Sequence, residues 1–328
     1  MYDNIKISLT VPFVTSYRAD FCARFGLLVK DEKKQIYSNK GYETLTQNKG
    51  VYMHLKNSKL TLEFSLHKFY NYCVYEKPFN YNDFTFKEAQ TAAAWLVEMF
   101  NRYFDIAAAK VVKYEVGINV ITSENPDLYL QELKQINVNA KVLPIKEDTH
   151  YKEYKQFSTQ RDKDKRIIYI FYNKTFEARS KGKAATRANI PENVLRVEKD
   201  NKRPFEKIVF ARLFDIDFMK LTVNEFKQRF CSDLEYKGIP VKLENMKRFE
   251  FDLLRLIYEK GTDGAKARIK ADFENGTIKR ACYFNKLRVI ERISATTPEI
   301  QIQYSRRAIE LNNLIISKIE TVHKNGLF

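Results

Sequence analysis

The run Arg166-Ile167-Ile168-Tyr169-Ile170-Phe171-Tyr172-Asn173-Lys174 decides how the chain folds. It is β-branched and aromatic, and in an extended strand successive side chains alternate faces. Ile168, Ile170, Tyr172 and Lys174 are therefore expected on one face, with Ile167, Tyr169 and Phe171 on the other. Thr175, Phe176 and Glu177 lead into a basic loop, Arg179 to Arg187. A second short run, Val194-Leu195-Arg196-Val197-Glu198, then places Arg196 and Glu198 together on one face. A hydroxyl nucleophile, a cation beside it and a carboxylate on a neighbouring strand are the parts of a phosphoryl-transfer site. Packing alone explains most strand tyrosines in a chain that carries 20 of them.

Upstream, Asn4 to Leu9 alternates polar and apolar residues and predicts a half-buried strand. Residues 11–50 predict loops and short strands. Val51 to Leu55 and Leu60 to His67 predict two strands joined by the turn Lys56-Asn57-Ser58-Lys59. In the second, Leu62, Phe64 and Leu66 face one way and Glu63, Ser65 and His67 the other. A helix is expected over Thr85 to Phe104, capped by Asn82 or Asp83, then a strand over Lys113 to Val120 with Glu115, Gly117 and Asn119 on its polar face. Asn125 to Ile136, with Pro126 in its first turn, predicts a second helix, and Ala140 to Ile145 another strand. The charged segment Lys146 to Lys165 leads into the opening run.

This order predicts an α+β fold, a mainly antiparallel sheet with helices on one face. A faint duplication is visible. The pair of runs from Val51 to His67 echoes the pair from Ile168 to Lys199, as two related halves would. Beyond Pro204 the pattern turns helical, over Asp217 to Arg229, Leu243 to Lys260, Gly264 to Glu274, Thr277 to Val289 and Glu299 to His323. The expected division is an α+β domain over residues 1–205 and a helical DNA-binding or accessory domain over 206–328. Lys279, Arg280, Lys286, Arg288, Arg306 and Arg307 are its candidate phosphate contacts, although such residues more often cover solvated helix faces.

The 57 Lys and Arg against 41 Asp and Glu give a net charge of +16, which favours a polyanionic partner. No apolar run of about 18 residues suggests a membrane span, and the first residues do not read as a signal peptide. A soluble, intracellular protein is expected. Cys22, Cys73, Cys231 and Cys282 are too scattered for a zinc site or a disulfide framework. Nucleotide-binding glycine motifs, H-E-x-x-H and G-x-S-x-G are absent from the sequence. Four sets of polar groups interrupt the apolar strands: Glu63 with His67, Glu115 with Asn119, Tyr172 with Lys174, and Glu198 with Arg196. Singly, each carboxylate reads as a surface charge. Together, Glu63, Glu115, Glu198 and His67 suit Mg²⁺ or Mn²⁺, with Tyr172 as the attacking oxygen. Arg166, Arg179, Lys181, Lys183 and Arg187, with Arg196, are the expected DNA contacts.

Met1 to Ser8, Leu62-Glu63-Phe64-Ser65, Tyr114-Glu115-Val116-Gly117-Ile118, Tyr172-Asn173-Lys174 and Leu195-Arg196-Val197-Glu198 together resemble the gene II/X-type replication initiators of single-stranded DNA phages and related plasmids. The resemblance runs in order over residues 1–205. It implies a rolling-circle tyrosine nickase that cuts one strand at an origin, links its tyrosine to the new 5′-phosphate and leaves a 3′-hydroxyl for a polymerase. Tyr172 matches the nucleophile and Lys174 the accompanying lysine of the family's Y-x-K run. Glu63, Glu115 and Glu198 match acidic positions, Glu115 standing where the family has Asp. The paired histidines of the wider nickase group are absent, and Tyr151, Tyr154 and Tyr169 compete with Tyr172 as nucleophile. Single-stranded DNA, origin duplex DNA and host helicase or polymerase are the implied partners, in the cytoplasm of a bacterial host. The alternative is a non-catalytic origin-binding replication or partition protein, with an RNA-binding protein ranked last.

Overall fold

The computed structural model of the chain describes residues 2–11, 15–31, 33–39, 46–139, 141–148, 156–159, 166–181, 190–204, 207–240, 246–296 and 302–326. The chain forms two compact units, residues 1–235 with 310–328, and residues 236–309.

The first unit is built on one antiparallel sheet. Its strands are β1 (Tyr2–Thr10), β2 (Leu28–Asp31), β3 (Ile36–Ser38), β4 (Tyr52–Lys56), β5 (Lys59–Ser65), β6 (Lys110–Ile121), β7 (Leu133–Val138), β8 (Lys141–Asp148), β9 (Gln156–Thr159), β10 (Ile167–Asn173), β11 (Val194–Asn201) and β12 (Leu234–Tyr236). Their order across the sheet is β12-β7-β8-β9-β10-β11-β6-β1-β5-β4-β3-β2. β1 and β6 form the central pair. Outward from it the chain lays down β5, β4, β3 and β2 on one side and β11, β10, β9 and β8 on the other. The two sequence runs that echo one another, β4–β5 and β10–β11, thus occupy matching places on either side of the centre.

Helices close one face of this sheet. α1 (Thr15–Arg24) follows β1, α2 (Leu66–Tyr75) follows β5, and α3 (Phe86–Phe100) precedes β6. α3 starts with a capping box in which Thr85 and Glu88 satisfy each other's backbone amides. The cap is therefore Thr85, downstream of the expected Asn82 or Asp83. α6 (Ile216–Lys227) lies on the same face. Tyr2 meets Phe86 and Phe214 edge-on at 6.1 and 5.7 Å, and Tyr169 and Phe171 both meet Phe230 at 5.6 Å. Burying each such ring contributes about 1.5–3 kcal/mol, which anchors the helices to the sheet.

Further expectations change. Residues 11–50, expected to hold loops and short strands, also contain the helix α1. Leu60 to His67 is a strand only to Ser65, whose hydroxyl accepts the Lys68 amide and caps α2. Likewise β10 stops at Asn173, whose side-chain oxygen accepts the Phe176 amide, and Lys174, expected at the end of the strand, instead begins α5 (Lys174–Lys181). Asn125 to Ile136 is only a short helix, α4 (Pro126–Leu130), capped by Asn125 and followed by β7. Its helical periodicity is overridden by pairing, since Gln135 to Val138 register against Lys141 to Pro144 of β8.

The division into units also falls later than the compositional change at 204–215. Met219, Thr222, Val223 and Phe226 of α6 are buried, and Phe218 packs on Tyr114 of β6, so this helix belongs with the sheet. The second unit holds α7 (Arg248–Glu274), α8 (Arg280–Thr296) and the small pair β13 (Gly238–Pro240) and β14 (Ile302–Tyr304). α7 joins two expected helices across a kink at Gly261, where φ of +71° favours glycine. Leu253, Leu254, Ala265, Ile269, Val289, Ile290 and Ile293 form the core of this unit. α9 (Arg306–Gly326) follows β14, and its residues from Glu310 onward belong to the first unit.

Candidate active site

The sheet face opposite α3 and α6 carries a groove of about 660 Å³ lined in part by Asp3, Glu63, Glu115, Tyr172, Lys174 and Glu198. Five of these were expected from sequence. The central registers explain how they meet: Ile170 faces Glu198 across β10 and β11, Glu198 faces Gly117 across β11 and β6, and Lys6 faces both Glu63 and Lys113. Residues opposite each other in a sheet share a face, so charges separated by over a hundred residues converge.

Tyr172 is buried, and its hydroxyl donates to Glu198 Oε1 at 3.3 Å. Burial first, and then the negative charge of Glu198, pushes the phenol well above its usual range. A phenol so placed attacks only if its proton is taken during the attack, and Glu198 is positioned to take it. Lys174 is 3 % exposed, bonds Glu177 at 2.8 Å, and holds its ammonium 5.7 Å from the Tyr172 ring centre. Burial pulls its pKa down, opposed by Glu177.

Arg196, 2 % exposed, organises the acids. Its Nε donates to Glu198, its Nη2 to Asp3 Oδ2 at 2.7 Å and its Nη1 to Asn119 Oδ1 at 3.0 Å. The guanidinium thus serves three internal acceptors and does not present itself to a DNA backbone. Asp3 also accepts from Ser65 and, at 2.8 Å, from Asn80. Burial opposes its charge, but Arg196 and then His67 hold its carboxyl below the usual carboxylate range. Gly117 is needed beneath this cluster, because a Cβ there would lie 3.0 Å from Arg196 Nη2, Glu198 Cγ and the Val197 carbonyl.

Glu115 behaves differently. Lys113 bonds it at 2.6 Å, yet burial and then the charge of Glu198 raise its pKa to about 8. The Glu198 charge that raises Glu115 sets two carboxylates close together, and their oxygens suit a hard divalent cation. Glu115 and Glu198 therefore fit Mg²⁺ or Mn²⁺. Glu63 lines the same groove but is paired with Lys6 at 3.0 Å. Among the described residues no three His, Cys, Asp or Glu side chains converge as a ready-made metal cage. His67 stands apart from the groove lining, because it lies in α2 and not on β5. It stacks on Phe84 at 4.5 Å and bonds Asn82 at 2.6 Å, and burial lowers its pKa to about 3.

The expected DNA contacts are dispersed. Arg179 is exposed and paired with Glu192, and Arg166 is exposed at the start of β10. The side chain of Lys181, and all of Lys183, Arg187, Tyr151 and Tyr154, lie outside the described residues. Tyr169 faces Phe230 on the helix side of the sheet, away from the groove. Asp3, Ser65 and Asn80 were missed from sequence. A register shift between Tyr2 and Ile5 lets both Asp3 and Asn4 line the groove, which strict alternation forbids. No protein-family model and no curated protein matches the chain.

Proposed function

We propose that the protein nicks and rejoins single-stranded DNA through a covalent 5′-phosphotyrosine at Tyr172, as a rolling-circle replication initiator does. The observation that carries this reading is the Tyr172 hydroxyl, bonded to Glu198 in a groove that also holds Lys174 and Glu115. The motifs along residues 1–205 that resemble the gene II/X-type initiators support it.

In this reading Glu198 accepts the phenolic proton as the Tyr172 oxygen forms its bond to phosphorus. The bond from phosphorus to the 3′-oxygen breaks, and that oxygen leaves with a proton from solvent. One phosphodiester is exchanged for another, so the reverse step rejoins the strand without an energy source. Arg196 fixes Glu198 in the orientation that receives the proton, and Lys174 offsets charge developing on the phosphoryl oxygens. Mg²⁺ or Mn²⁺ held by Glu115 and Glu198 would supply charge neutralisation at the phosphate.

The test is a 3′-labelled, random-sequence single-stranded oligonucleotide pool incubated with the full chain and Mn²⁺, then resolved on a denaturing gel. Label should migrate with the wild-type protein and not with Tyr172→Phe. An adduct that survives in Tyr172→Phe, or none in the wild type, defeats the proposal. The second reading, a non-catalytic DNA-binding initiator, rests on the net charge of +16 and predicts binding without any adduct.

A further inference from the structure

A second, larger groove of about 890 Å³ opens at the other end of the same central strands. Ser8 and Thr10 of β1, Lys59 of β5, Lys110 of β6, and Arg203 just past β11 contribute to its lining. The sheet register arranges these side chains in rows. Ser8 faces Lys110 on one side and Thr61 on the other, and Thr10 faces Lys59. Lys59 in turn faces Lys56 across the β4–β5 hairpin. Like charges directly opposite one another cost stability, so this pairing disfavours the empty fold unless something offsets it.

The charges in the two grooves are treated differently. In the groove around Tyr172, Lys6, Lys113, Lys174 and Arg196 each have an acidic partner. In the second, Lys59, Lys110 and Arg203 are exposed and, like Lys56 opposite Lys59, have no acidic partner among the described residues. The acid in its lining, Asp105, already accepts the Ala107 amide at 2.8 Å. Alternate residues along β1 run from Asn4, in the first groove, through Lys6 to Ser8 and Thr10 in the second. Successive members of that row are about 7 Å apart in strand geometry, and they present in turn an amide, a cation and two hydroxyls.

We propose that this groove binds the backbone phosphates of single-stranded DNA, and that it is the path by which the strand flanking the Tyr172 site lies along β1. The identity of the strand as substrate rests on the function proposed above, but the binding does not. The match is one of charge and donors to phosphate oxygens, without base-specific readout.

The experiment measures anisotropy of a labelled oligothymidylate of about 30 nucleotides against the full chain, in EDTA, over a series of salt concentrations. The variant is Lys59→Ala/Lys110→Ala/Arg203→Ala. A control, Lys30→Ala/Lys33→Ala/Lys87→Ala, removes the same charge from exposed positions elsewhere. With three phosphates released at about 0.7 each, the groove variant should bind more weakly, and its slope of log affinity against log salt should be shallower by about 2. The control should keep the wild-type slope. An unchanged slope in the groove variant, or an equal loss in the control, overturns the proposal. If Tyr172→Phe still forms an adduct while the groove variant loses its slope, the assignment of the nucleophile fails and the groove stands. If adduct formation requires Tyr172 but the slope is unmoved, the groove fails alone.

Discussion

Replacing Arg196 by methionine tests whether the buried charge cluster is arranged as described. The substitution keeps a long apolar stem but removes the donors that serve Glu198, Asp3 and Asn119. Two carboxylates are then left buried, Asp3 and Glu198, each under a tenth exposed. Removing one member of a buried ion pair costs about 3–5 kcal/mol, because the partner keeps its desolvation penalty without its compensation. In a unit of this size that is a fall in Tm of roughly 6–20 °C. The loss has a pH signature. In the wild type the Asp3 pKa is depressed, so its contribution is present above the unfolded value of about 3.9 and is lost as pH falls below it. In the variant the carboxyls are free to take protons, so the gap between the two proteins is widest near neutral pH and narrows towards acid. Urea denaturation followed by Trp95, the single tryptophan and a residue of α3, reads the sheet unit directly. Adding Asp3→Asn in the Arg196→Met background should recover part of the loss. A cost below about 1 kcal/mol, or one that is the same at pH 4 and pH 7, refutes the arrangement.

Glu115→Gln should stabilise the protein at alkaline pH. The folded pKa of about 8 lies above the unfolded value, so the folded state holds the extra proton and wild-type stability declines as pH rises from about 4.3 through 8. The variant should be more stable than the wild type near pH 8.5, and that advantage should vanish near pH 4 in thermal melts. Equal melting at both values would mean that Glu115 ionises normally. In the same assay Mn²⁺ should raise the wild-type Tm, and Glu115→Gln should abolish that shift. His67→Gln should retain it, since His67 stands outside the groove lining. His67→Gln should also blunt the loss of wild-type stability between about pH 6.5 and 3, where the unfolded chain binds a proton that the buried imidazole refuses. Loss of the Mn²⁺ response in His67→Gln would restore the histidine to the metal site.

Alternation along β5, β6 and β11 was enough to place Glu63, Glu115 and Glu198 on one face, because those strands stay regular through the residues concerned. Alternation failed where the chain leaves regular geometry. Ser65 and Asn173 both end strands by capping helices, and this turns His67 and Lys174 away from the parity their sequence spacing suggests. Lys174 still reaches the groove because α5 starts directly beside Tyr172, whereas His67 is carried to Phe84 and Asn82. Asp3 was hidden by the irregularity between Tyr2 and Ile5, for which only the abrupt change from Tyr-Asp-Asn to alternating residues gave a signal. The capacity of Asn125 to Ile136 to form a strand was hidden for another reason. Its helical periodicity is real, but pairing with β8 outweighs a weak propensity once the sheet exists.

The electrostatics of the two grooves bear on how a polyanion could be handled at all. A phosphodiester entering the Tyr172 groove meets Asp3, Glu63, Glu115 and Glu198, and acids of this number would repel it if all were ionised and unpaired. The fold limits that repulsion locally: Arg196 offsets Asp3 and Glu198, Lys6 offsets Glu63, and burial keeps Glu115 protonated up to about pH 8. What remains is close to neutral, suited to positioning a reacting group and poorly suited to attracting a strand from solution. Attraction must then come from cations that are not already spent on internal partners. Among the described residues Lys59, Lys110 and Arg203 meet that condition; Lys59 and Lys110 sit on β5 and β6, the strands of Glu63 and Glu115, and Arg203 lies just past β11, the strand of Glu198. On the proposed function, affinity and chemistry would then be separable on one scaffold. Neutralising the second groove should weaken strand capture at high salt while leaving the proton transfer from Tyr172 to Glu198 intact, so that saturating DNA restores the adduct yield.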